Sequence, residues 1–291
     1  MAHGLGVMAA TSTARGARDK QTNGDSRNLS CLVYRPTCMA NHPKSQSPNC
    51  LTPTPSTQPH PTPEAEEVFR RWIRFLDEEF LRHRSPERRS EIVRDQLYQL
   101  YLGRPHGGKP NVMLTSELPG NVLGLSLDPE NVTLEAEHFG DADPEMLAVR
   151  KPLLWFWKMF DRSPIGLNLW LGIRFRCMLG RHIFDHMGSG VKIHHGVDLT
   201  YGYNLSIGDG ATIHQGVLLH DRGGITIGKG AVIGSFSRIF SHGYTSDNME
   251  DVKLLPTKIG DGAHIGSHTI LLGGQNVGAG EVVGSYPIFR A

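Results

Sequence analysis

Cysteine is scarce in this chain of 291 residues, which contains four cysteines and no Cys-x-x-Cys pair. Cys31, Cys38 and Cys50 fall in a polar, proline-rich stretch, and Cys177 stands alone in an apolar one. This pattern argues against a disulfide framework and against a zinc ribbon. We therefore expect reduced thiols and a cytoplasmic location.

Excess charge and long apolar runs are also missing. The chain has 30 lysines and arginines against 29 aspartates and glutamates, whereas a nucleic-acid-binding domain needs a basic stripe or face. No segment reaches the run of about 18 uncharged apolar residues that a membrane-spanning helix requires. We therefore expect neither a nucleic-acid partner nor a membrane span.

The N-terminal residues 1–62 are rich in serine, threonine, asparagine and proline. Such a composition cannot bury enough apolar surface to fold, and it predicts a disordered tail. The segment is poor in acidic residues and carries a few arginines, so an organellar transit peptide is an alternative interpretation.

Residues 63–190 form a predicted helical N-terminal region. Apolar residues at three- and four-residue steps predict a helix over residues 64–83, namely Phe69, Trp72, Ile73, Leu76 and Phe80. Ser85-Pro86 is typical of an N-cap followed by a first-turn proline, and it predicts a second helix that ends near Leu102. Residues 103–150 have no clear periodicity and are expected to be loop-like.

Ser163-Pro164 predicts the start of a further helix, over residues 164–184, with a broad apolar side and arginines opposite. A broad apolar side has two interpretations. In the first, the helix packs across the end of another domain. In the second, it contacts a membrane surface or an apolar acceptor.

From residue 191 onward, aliphatic residues recur every six positions. They are Ile193 and Leu199, then Ile207, Ile213 and Leu219, then Ile227, Ile233 and Ile239, then Ile259, Ile265, Leu271, Val277 and Val283. Insertions of two residues separate Leu199 from Ile207 and Leu219 from Ile227. A six-residue period fits neither an α-helix nor a hairpin, but it is typical of a β-solenoid.

In such a solenoid each hexad is a short strand plus a turn, and three hexads complete one triangular coil. The aliphatic residue points inward and stacks on its equivalent in the next coil. The residue after it is often glycine, which lets the backbone turn the corner. The repeat therefore predicts a mainly β domain over residues 191–291.

Two stretches resemble the hexapeptide-repeat acyltransferases: Ile259-Gly-Asp-Gly-Ala-His-Ile-Gly-Ser-His268 and Tyr201-Gly-Tyr-Asn-Leu-Ser-Ile-Gly-Asp209. The similarity is greatest to the maltose, galactoside and colanic-acid O-acetyltransferases. This resemblance implies a left-handed parallel β-helix and a homotrimer. It also implies acetyl-CoA or another acyl-CoA as co-substrate, a sugar or similar small-molecule acceptor, and no metal.

The hexad rhythm breaks between Ile239 and Ile259. In the family that this chain resembles, a loop extruded here carries the catalytic histidine beside a coenzyme channel between subunits. The resemblance implies that His242 is the general base, a role suited to imidazole with its pKa of about 6.5. A second histidine common in the family is replaced by Tyr244 here.

The resemblance implies further site residues. Tyr203 and Asn204 match the acceptor-side stretch, although Gly202 stands where the family often has an asparagine. Ser267 matches a coenzyme contact. His220, in a corner insertion, is expected to border the acceptor pocket.

The C-terminal stretch Val283–Ala291 departs from the family pattern, in which another coil and a capping tail follow. We therefore expect a truncated last coil.

Two other functions are open. One is a metalloprotein like the γ-class carbonic anhydrases, whose zinc needs three imidazoles. Its expected histidine spacing differs from that of His264 with His268 and of His214 with His220, which argues against it. The other is a catalytically inactive, trimeric structural relative.

Overall fold

The computed structural model describes residues 60–107, 118–245 and 251–284, which form a helical layer followed by a β-solenoid. The predicted disorder of residues 1–62 falls almost wholly outside the described residues, and so does the end of the predicted truncated coil. No helix in the described part of the chain is long and apolar enough to cross a membrane.

The helical layer contains five α-helices among the described residues. They are α1 (Pro63–Arg82), α2 (Pro86–Leu102), α3 (Leu118–Ser126), α4 (Pro144–Arg162) and α5 (Leu169–Ile183), with short 3-10 helices at Pro129–Asn131, Glu135–His138 and Pro164–Leu167. The first two helices confirm the predictions from apolar periodicity and from the Ser85 cap.

The prediction that residues 103–150 are loop-like is wrong for the described part of that stretch. It contains α3 and the start of α4. The cause at α4 is an N-cap, because the Asp143 carboxylate accepts the amide hydrogens of Glu145 and Met146 at 3.0 and 2.9 Å, and Pro144 follows it in the first turn.

Aromatic rings hold α1, α4 and α5 together. Phe160 and Phe175 stack with ring centroids 3.7 Å apart, and Trp72 stacks on Phe175 at 5.3 Å. Such pairs add to the stabilisation that burial gives.

The helix predicted over residues 164–184 is divided into a 3-10 turn and α5. Asn168 follows the 3-10 turn, and its side chain caps α5 by accepting the Leu171 amide hydrogen at 3.0 Å.

The apolar side of α5 packs against α1, α4 and the first strands of the solenoid. This arrangement agrees with the first interpretation of residues 164–184, in which the helix packs across the end of another domain. Contact with a membrane surface stays a prediction.

Cys177 lies on α5, where burial raises the pKa of its thiol to about 11, so the thiol is protonated at neutral pH.

Sixteen short strands follow in the described residues. They are β1 (His186–Met187), β2 (Lys192–Ile193), β3 (Asp198–Leu199), β4 (Leu205–Ile207), β5 (Thr212–Ile213), β6 (Leu218–His220), β7 (Ile225–Ile227), β8 (Val232–Ile233), β9 (Arg238–Phe240), β10 (His242–Tyr244), β11 (Val252–Leu254), β12 (Thr257–Ile259), β13 (His264–Ile265), β14 (Ile270–Leu271), β15 (Asn276–Val277) and β16 (Val282–Val283). The first strand thus precedes the boundary expected at residue 191.

Fourteen of these strands form three parallel sheets. The first sheet has the order β1-β4-β7-β12-β15, the second β2-β5-β8-β13-β16, and the third β3-β6-β9-β14. Each of the first four coils contributes one strand to each sheet, and a fifth contributes β15 and β16, so the sequence repeat becomes a stack of about five coils. The structure confirms the predicted parallel β-solenoid.

The core of the solenoid consists of the predicted inward residues. Ile207 pairs in register with Ile227, and Ile213 with Ile233. All four side chains are at most 1% exposed. Burying a side chain of this kind contributes roughly 1.5–3 kcal/mol, so stacking of identical positions stabilises the whole column.

The helical layer covers the N-terminal end of this core. The buried guanidinium of Arg176 donates to the Asp161 carboxylate at 2.8 Å, to the Gly166 carbonyl at 2.8 Å and to the Ile193 carbonyl at 3.4 Å. The Trp157 indole donates to the Val197 carbonyl at 2.8 Å. These bonds join α4 and α5 to the first coil, which therefore has the cap that a solenoid end needs.

Candidate active site

The departures from the six-residue rhythm meet at one edge of the solenoid. Residues 200–204 follow β3, residues 221–224 follow β6, and the long interruption follows β9. Because β3, β6 and β9 are neighbours in the third sheet, these segments stack where that sheet turns into the first. We call residues 200–204, 221–224, 241–245 and 251–256 the insertion corner.

A two-stranded hairpin projects from the insertion corner and carries His242. Strands β10 and β11 are antiparallel, with His242 opposite Leu254. Ser241 fixes the base of the hairpin, since its hydroxyl donates to the His220 carbonyl at 2.6 Å and accepts the Gly223 amide hydrogen at 2.9 Å.

The His242 side chain is buried among rings. His220 and Tyr244 lie edge-on to it at centroid distances of 5.5 and 5.6 Å. Its Nδ1 has no hydrogen-bond partner among the described residues. Burial, and to a smaller extent the positive charge of Arg222, lower the pKa of His242 from 6.5, so the neutral imidazole predominates at neutral pH.

An ion pair joins the helical layer to the insertion corner. Arg222 is 5% exposed and binds Asp141 through two nitrogens, with Nε 3.1 Å from Oδ2. The Tyr201 hydroxyl donates to the same carboxylate oxygen at 3.1 Å. Burial alone would raise the pKa of Asp141, but the hydrogen bond and the charge of Arg222 hold it below its usual value.

A groove of about 390 Å³ opens beside this ion pair. Its lining residues are Asp141, Asp143, Met146, Tyr203, Asn204, Arg222, Gly223 and Leu254. The volume suits a small molecule, and the wall offers carboxylate, guanidinium, amide and phenol groups. The groove reaches the hairpin at Leu254, the residue opposite His242.

The predicted acceptor residues Tyr203 and Asn204 both line this groove. The Tyr203 hydroxyl accepts the Asp143 amide hydrogen at 2.9 Å, and its ring stacks on Tyr201 at 5.0 Å. The Asn204 amide group donates to the Arg222 carbonyl at 3.0 Å. Both side chains are therefore held in place before any ligand binds.

Asp221 fixes the backbone below the groove. It is fully buried, and its Oδ1 accepts the amide hydrogens of Thr200 and Tyr201 at 3.1 and 2.9 Å. Burial raises the pKa of this carboxyl to about 6. Hydrogen bonds to this buried carboxyl thus fix the backbone of Thr200 and Tyr201 in the insertion corner.

His220 lies next to His242, and neither side chain is among the described residues that line the groove. Its Nδ1 is 3.0 Å from the Thr200 hydroxyl, and its ring stacks on Phe240 at 5.2 Å. It lines a separate small cavity of about 40 Å³, with Glu135 among the other residues there. The expectation that His220 borders the acceptor pocket stays a prediction.

Ser267 lies at a different edge of the solenoid. It follows β13 and precedes β14, so it occupies the corner between the second and third sheets. The next residue, His268, stacks on Phe236 of the coil before at 5.3 Å. A single chain thus does not bring Ser267 beside His242.

The three charged groove residues, Asp141, Asp143 and Arg222, were missed by sequence reasoning. The Asp143-Pro144 pair was an available signal, because it is typical of a helix start. The ion pair between Asp141 and Arg222 had no signal, since the two residues are far apart in sequence.

The described residues contain no group of three or more histidine, cysteine, aspartate or glutamate side chains placed to hold a metal ion. Two histidines outside the insertion corner, His194 and His214, stack at a centroid distance of 5.0 Å.

Comparison with known proteins gave matches among solved structures. No family model matches the sequence, and no curated protein matches it. A hexapeptide-repeat-containing acetyltransferase from Vibrio cholerae O1 biovar eltor, complexed with acetyl coenzyme A, is 23% identical with a TM-score of 0.42. The match covers 56% of this chain and 98% of that one.

Two further structures are similar over part of the chain. A maltose O-acetyltransferase from Clostridium difficile 630 is 20% identical with a TM-score of 0.40, and the match covers 48% of this chain and 78% of that one. Serine acetyltransferase isoform 3 from Entamoeba histolytica, in complex with cysteine, is 13% identical with a TM-score of 0.21. That match covers 69% of this chain and 72% of the other.

Proposed function

We propose that this chain is an acyl-CoA-dependent acyltransferase of the hexapeptide-repeat superfamily. It transfers an acetyl or similar acyl group to a hydroxyl or amine of a small polar acceptor. One observation carries the proposal: the breaks in the repeat converge on one corner, where a neutral imidazole is carried by the hairpin whose Leu254 lines a polar groove.

In this proposal His242 is the general base. The acceptor hydroxyl gives its proton to the imidazole while its oxygen attacks the thioester carbonyl. The new carbon–oxygen bond forms, the carbon–sulfur bond breaks, and the proton then passes from the imidazolium to the departing thiolate. A base of this kind contributes about 10²–10⁴-fold to the rate.

The groove supplies the acceptor site. Tyr203, Asn204, Arg222 and Asp141 are each held by neighbouring groups, so they bind a ligand with little loss of side-chain entropy. Their donors and acceptors suit the hydroxyls of a sugar or a similar molecule. We therefore propose a sugar or a similar molecule as the acceptor. We also propose that the protein acts in the cytoplasm and uses no metal.

Acyl-CoA binds between subunits of a homotrimer in this proposal, with Ser267 as one of its contacts. The separation of Ser267 from His242 within one chain supports a shared site, because a neighbouring chain can bring a second Ser267 to the hairpin. Exposed apolar side chains on the last coils, including Ile270 at 58% and Leu272 at 62%, also suit a symmetric interface.

The test is an acyl-transfer assay with acetyl-CoA and a panel of sugars, amino acids and lipid-linked hydroxyls. We expect His242→Ala to lower kcat by about 10²–10⁴-fold with little change in the KM for acetyl-CoA, because the imidazole acts on the acceptor proton. The matched control is His186→Ala, which removes an exposed imidazole from the first strand.

Equal turnover in His242→Ala and the parent chain would exclude this histidine as the base. Absence of transfer to every acceptor, with acetyl-CoA still bound, would favour an inactive structural relative. Tyr244 is 49% exposed, and Tyr244→Phe should change turnover only mildly.

A further inference from the structure

A second cavity lies in the helical layer, away from the groove, and encloses about 500 Å³. Its lining residues are Asp77, Leu81, Arg84, Arg89, Val149, Arg150, Arg181, His182 and Phe184. Among the described residues, four arginines and a single carboxylate, that of Asp77, line this cavity. The proposed acyl transfer makes no use of any of them.

Arg89 is the deepest of these cations. It is 5% exposed, and its guanidinium donates to the carbonyls of His83, Val149 and Phe80 at 3.2, 3.0 and 3.4 Å. Each of its three nitrogens thus has a carbonyl partner, but none of these partners supplies a full negative charge. Burial, together with Arg150 and Arg84, lowers its pKa to about 10, so the group stays charged at neutral pH.

The carboxylate of Asp77 does not compensate the cluster. It already accepts from Arg181 at 3.1 Å and lies 2.8 Å from the His182 ring. Burial lowers the pKa of His182 in spite of this partner, so His182 adds no positive charge at neutral pH. Arg150 in turn is close enough to Asp143 and Asp185 to feel their charges. The unbalanced charge is therefore mainly that of Arg84 and Arg89.

Two arginines retain free donors toward the cavity. Arg150 is bound to the backbone, with Nε 3.3 Å from the Ile183 carbonyl and Nη1 3.4 Å from the Met146 carbonyl. Arg84 is exposed and makes no hydrogen bond or ion pair with the described residues. Since a guanidinium has five N–H donors, both groups can bind an additional anion.

We infer that this arginine cavity binds the phosphate group of a small phosphate ester. A planar guanidinium matches phosphate oxygens in pairs, and charge-assisted bonds of this kind are among the stronger hydrogen bonds. The cavity volume lies within the range of small-molecule sites. It therefore has room for the alcohol part of the ester beside the phosphate.

Among the described residues, the cavity and the acceptor groove have no lining residue in common, but they approach each other at Arg150 and Tyr203. The Arg150 guanidinium lies 5.9 Å from the centre of the Tyr203 ring, and Tyr203 lines the groove. The phosphate site does not depend on the proposed acyl transfer, so its test measures binding alone.

The experiment uses the full chain in calorimetric titrations and thermal unfolding at constant ionic strength. The probes are glucose 6-phosphate, orthophosphate and uncharged glucose. We expect glucose 6-phosphate to bind more tightly than orthophosphate and to raise Tm, and glucose to do neither. Added NaCl should weaken binding, because the attraction is electrostatic.

Arg84→Gln and Arg181→Gln are the informative variants, because these exposed side chains can be changed without opening the core. Each should weaken binding of glucose 6-phosphate roughly tenfold or more. Arg88→Gln is the matched control, since Arg88 is an exposed arginine of α2 paired with Glu91, and it should bind as the parent does.

Binding of glucose as tight as that of glucose 6-phosphate would overturn the proposal. So would unchanged affinity in both Arg84→Gln and Arg181→Gln. Equal affinity for orthophosphate and glucose 6-phosphate would overturn the assignment of an ester as ligand.

Discussion

At the scale of single residues, His242 and Asp221 are two buried groups whose pKa values move in opposite senses. Burial disfavours the charged form of each, so the imidazole pKa falls and the carboxyl pKa rises. The histidine is left neutral and able to accept a proton. The carboxyl is left as the buried acceptor of two backbone amides.

The first prediction at this scale concerns pH. A base acts only when neutral, and the lowered pKa of His242 keeps it neutral to lower pH than an ordinary histidine. The acid limb of kcat/KM should therefore have its midpoint below pH 6.5. A pH–rate profile from pH 5 to 8 measures it, and a midpoint above pH 7 would contradict the assignment. The control His186→Ala should leave the profile unchanged.

A second prediction concerns stability and Asp221. Because its folded-state pKa of about 6 exceeds the unfolded value, the folded chain holds a proton that the unfolded chain releases. This carboxyl therefore costs stability above about pH 6, and the cost disappears as pH falls to about 4. The full cost is roughly 3 kcal/mol.

Asp221→Asn removes that titration while keeping an oxygen for the two amides. The difference in free energy of unfolding between parent and variant should shift in favour of the parent as pH falls from 7 to 4.5. Urea unfolding at both pH values measures it. A difference that does not change with pH would show that Asp221 titrates normally.

At the scale of elements, close stacking of successive coils fixes the hairpin. Gly273 lies in the turn after β14, directly against the His242 backbone. A Cβ built on Gly273 would lie 2.6 Å from the His242 carbonyl oxygen and 2.7 Å from its nitrogen. Backbone atoms cannot move aside as a flexible side chain can.

Gly273→Ala should therefore displace His242 while the solenoid still folds. Misplacement of a catalytic group by about 1 Å can lower a rate about 10²-fold, and we expect a loss of that order in kcat. Activity and circular dichroism measured together separate displacement from unfolding. Gly120→Ala is the control, since a Cβ there meets nothing within 4 Å. Parent-like activity of Gly273→Ala would show that the hairpin adapts.

At the scale of the whole molecule, the proposed site needs two chains. His242 and Ser267 occupy different edges of one solenoid. If a coenzyme touches both, a trimer places the histidine of one chain beside the serine of the next. Light scattering should then give three times the mass of the chain.

Complementation tests this arrangement directly. His242→Ala and Ser267→Arg should each be nearly inactive as homo-oligomers. Mixed oligomers should regain part of the activity, because some sites combine an intact histidine from one chain with an intact serine from its neighbour. The control mixes each variant with itself under the same treatment. Absence of any regain in verified mixed oligomers would place both residues in the same site of one chain, or Ser267 outside it.

The repeat in the sequence was sufficient to predict the solenoid and its inward residues. Ile207, Ile213, Ile227 and Ile233 are buried where the period placed them, because a solenoid pairs each residue with its equivalent in the next coil. Contacts in such a fold follow the period of the chain. The helices α1 and α2 were predictable for a similar reason, since caps and apolar periodicity are local.

The composition of the groove was decided by tertiary structure. Asp141 reaches Arg222 across many residues of sequence, and no periodicity or cap indicates such a pair. The sequence likewise located His220 and His242 in two separate breaks of the rhythm, but their 5.5 Å ring contact exists because the third sheet stacks those breaks. The local pattern of this chain thus determined the solenoid and where it is interrupted. Only the packing of coils against the helical layer decided which side chains meet at the interruption, because those contacts join residues with no fixed spacing along the chain.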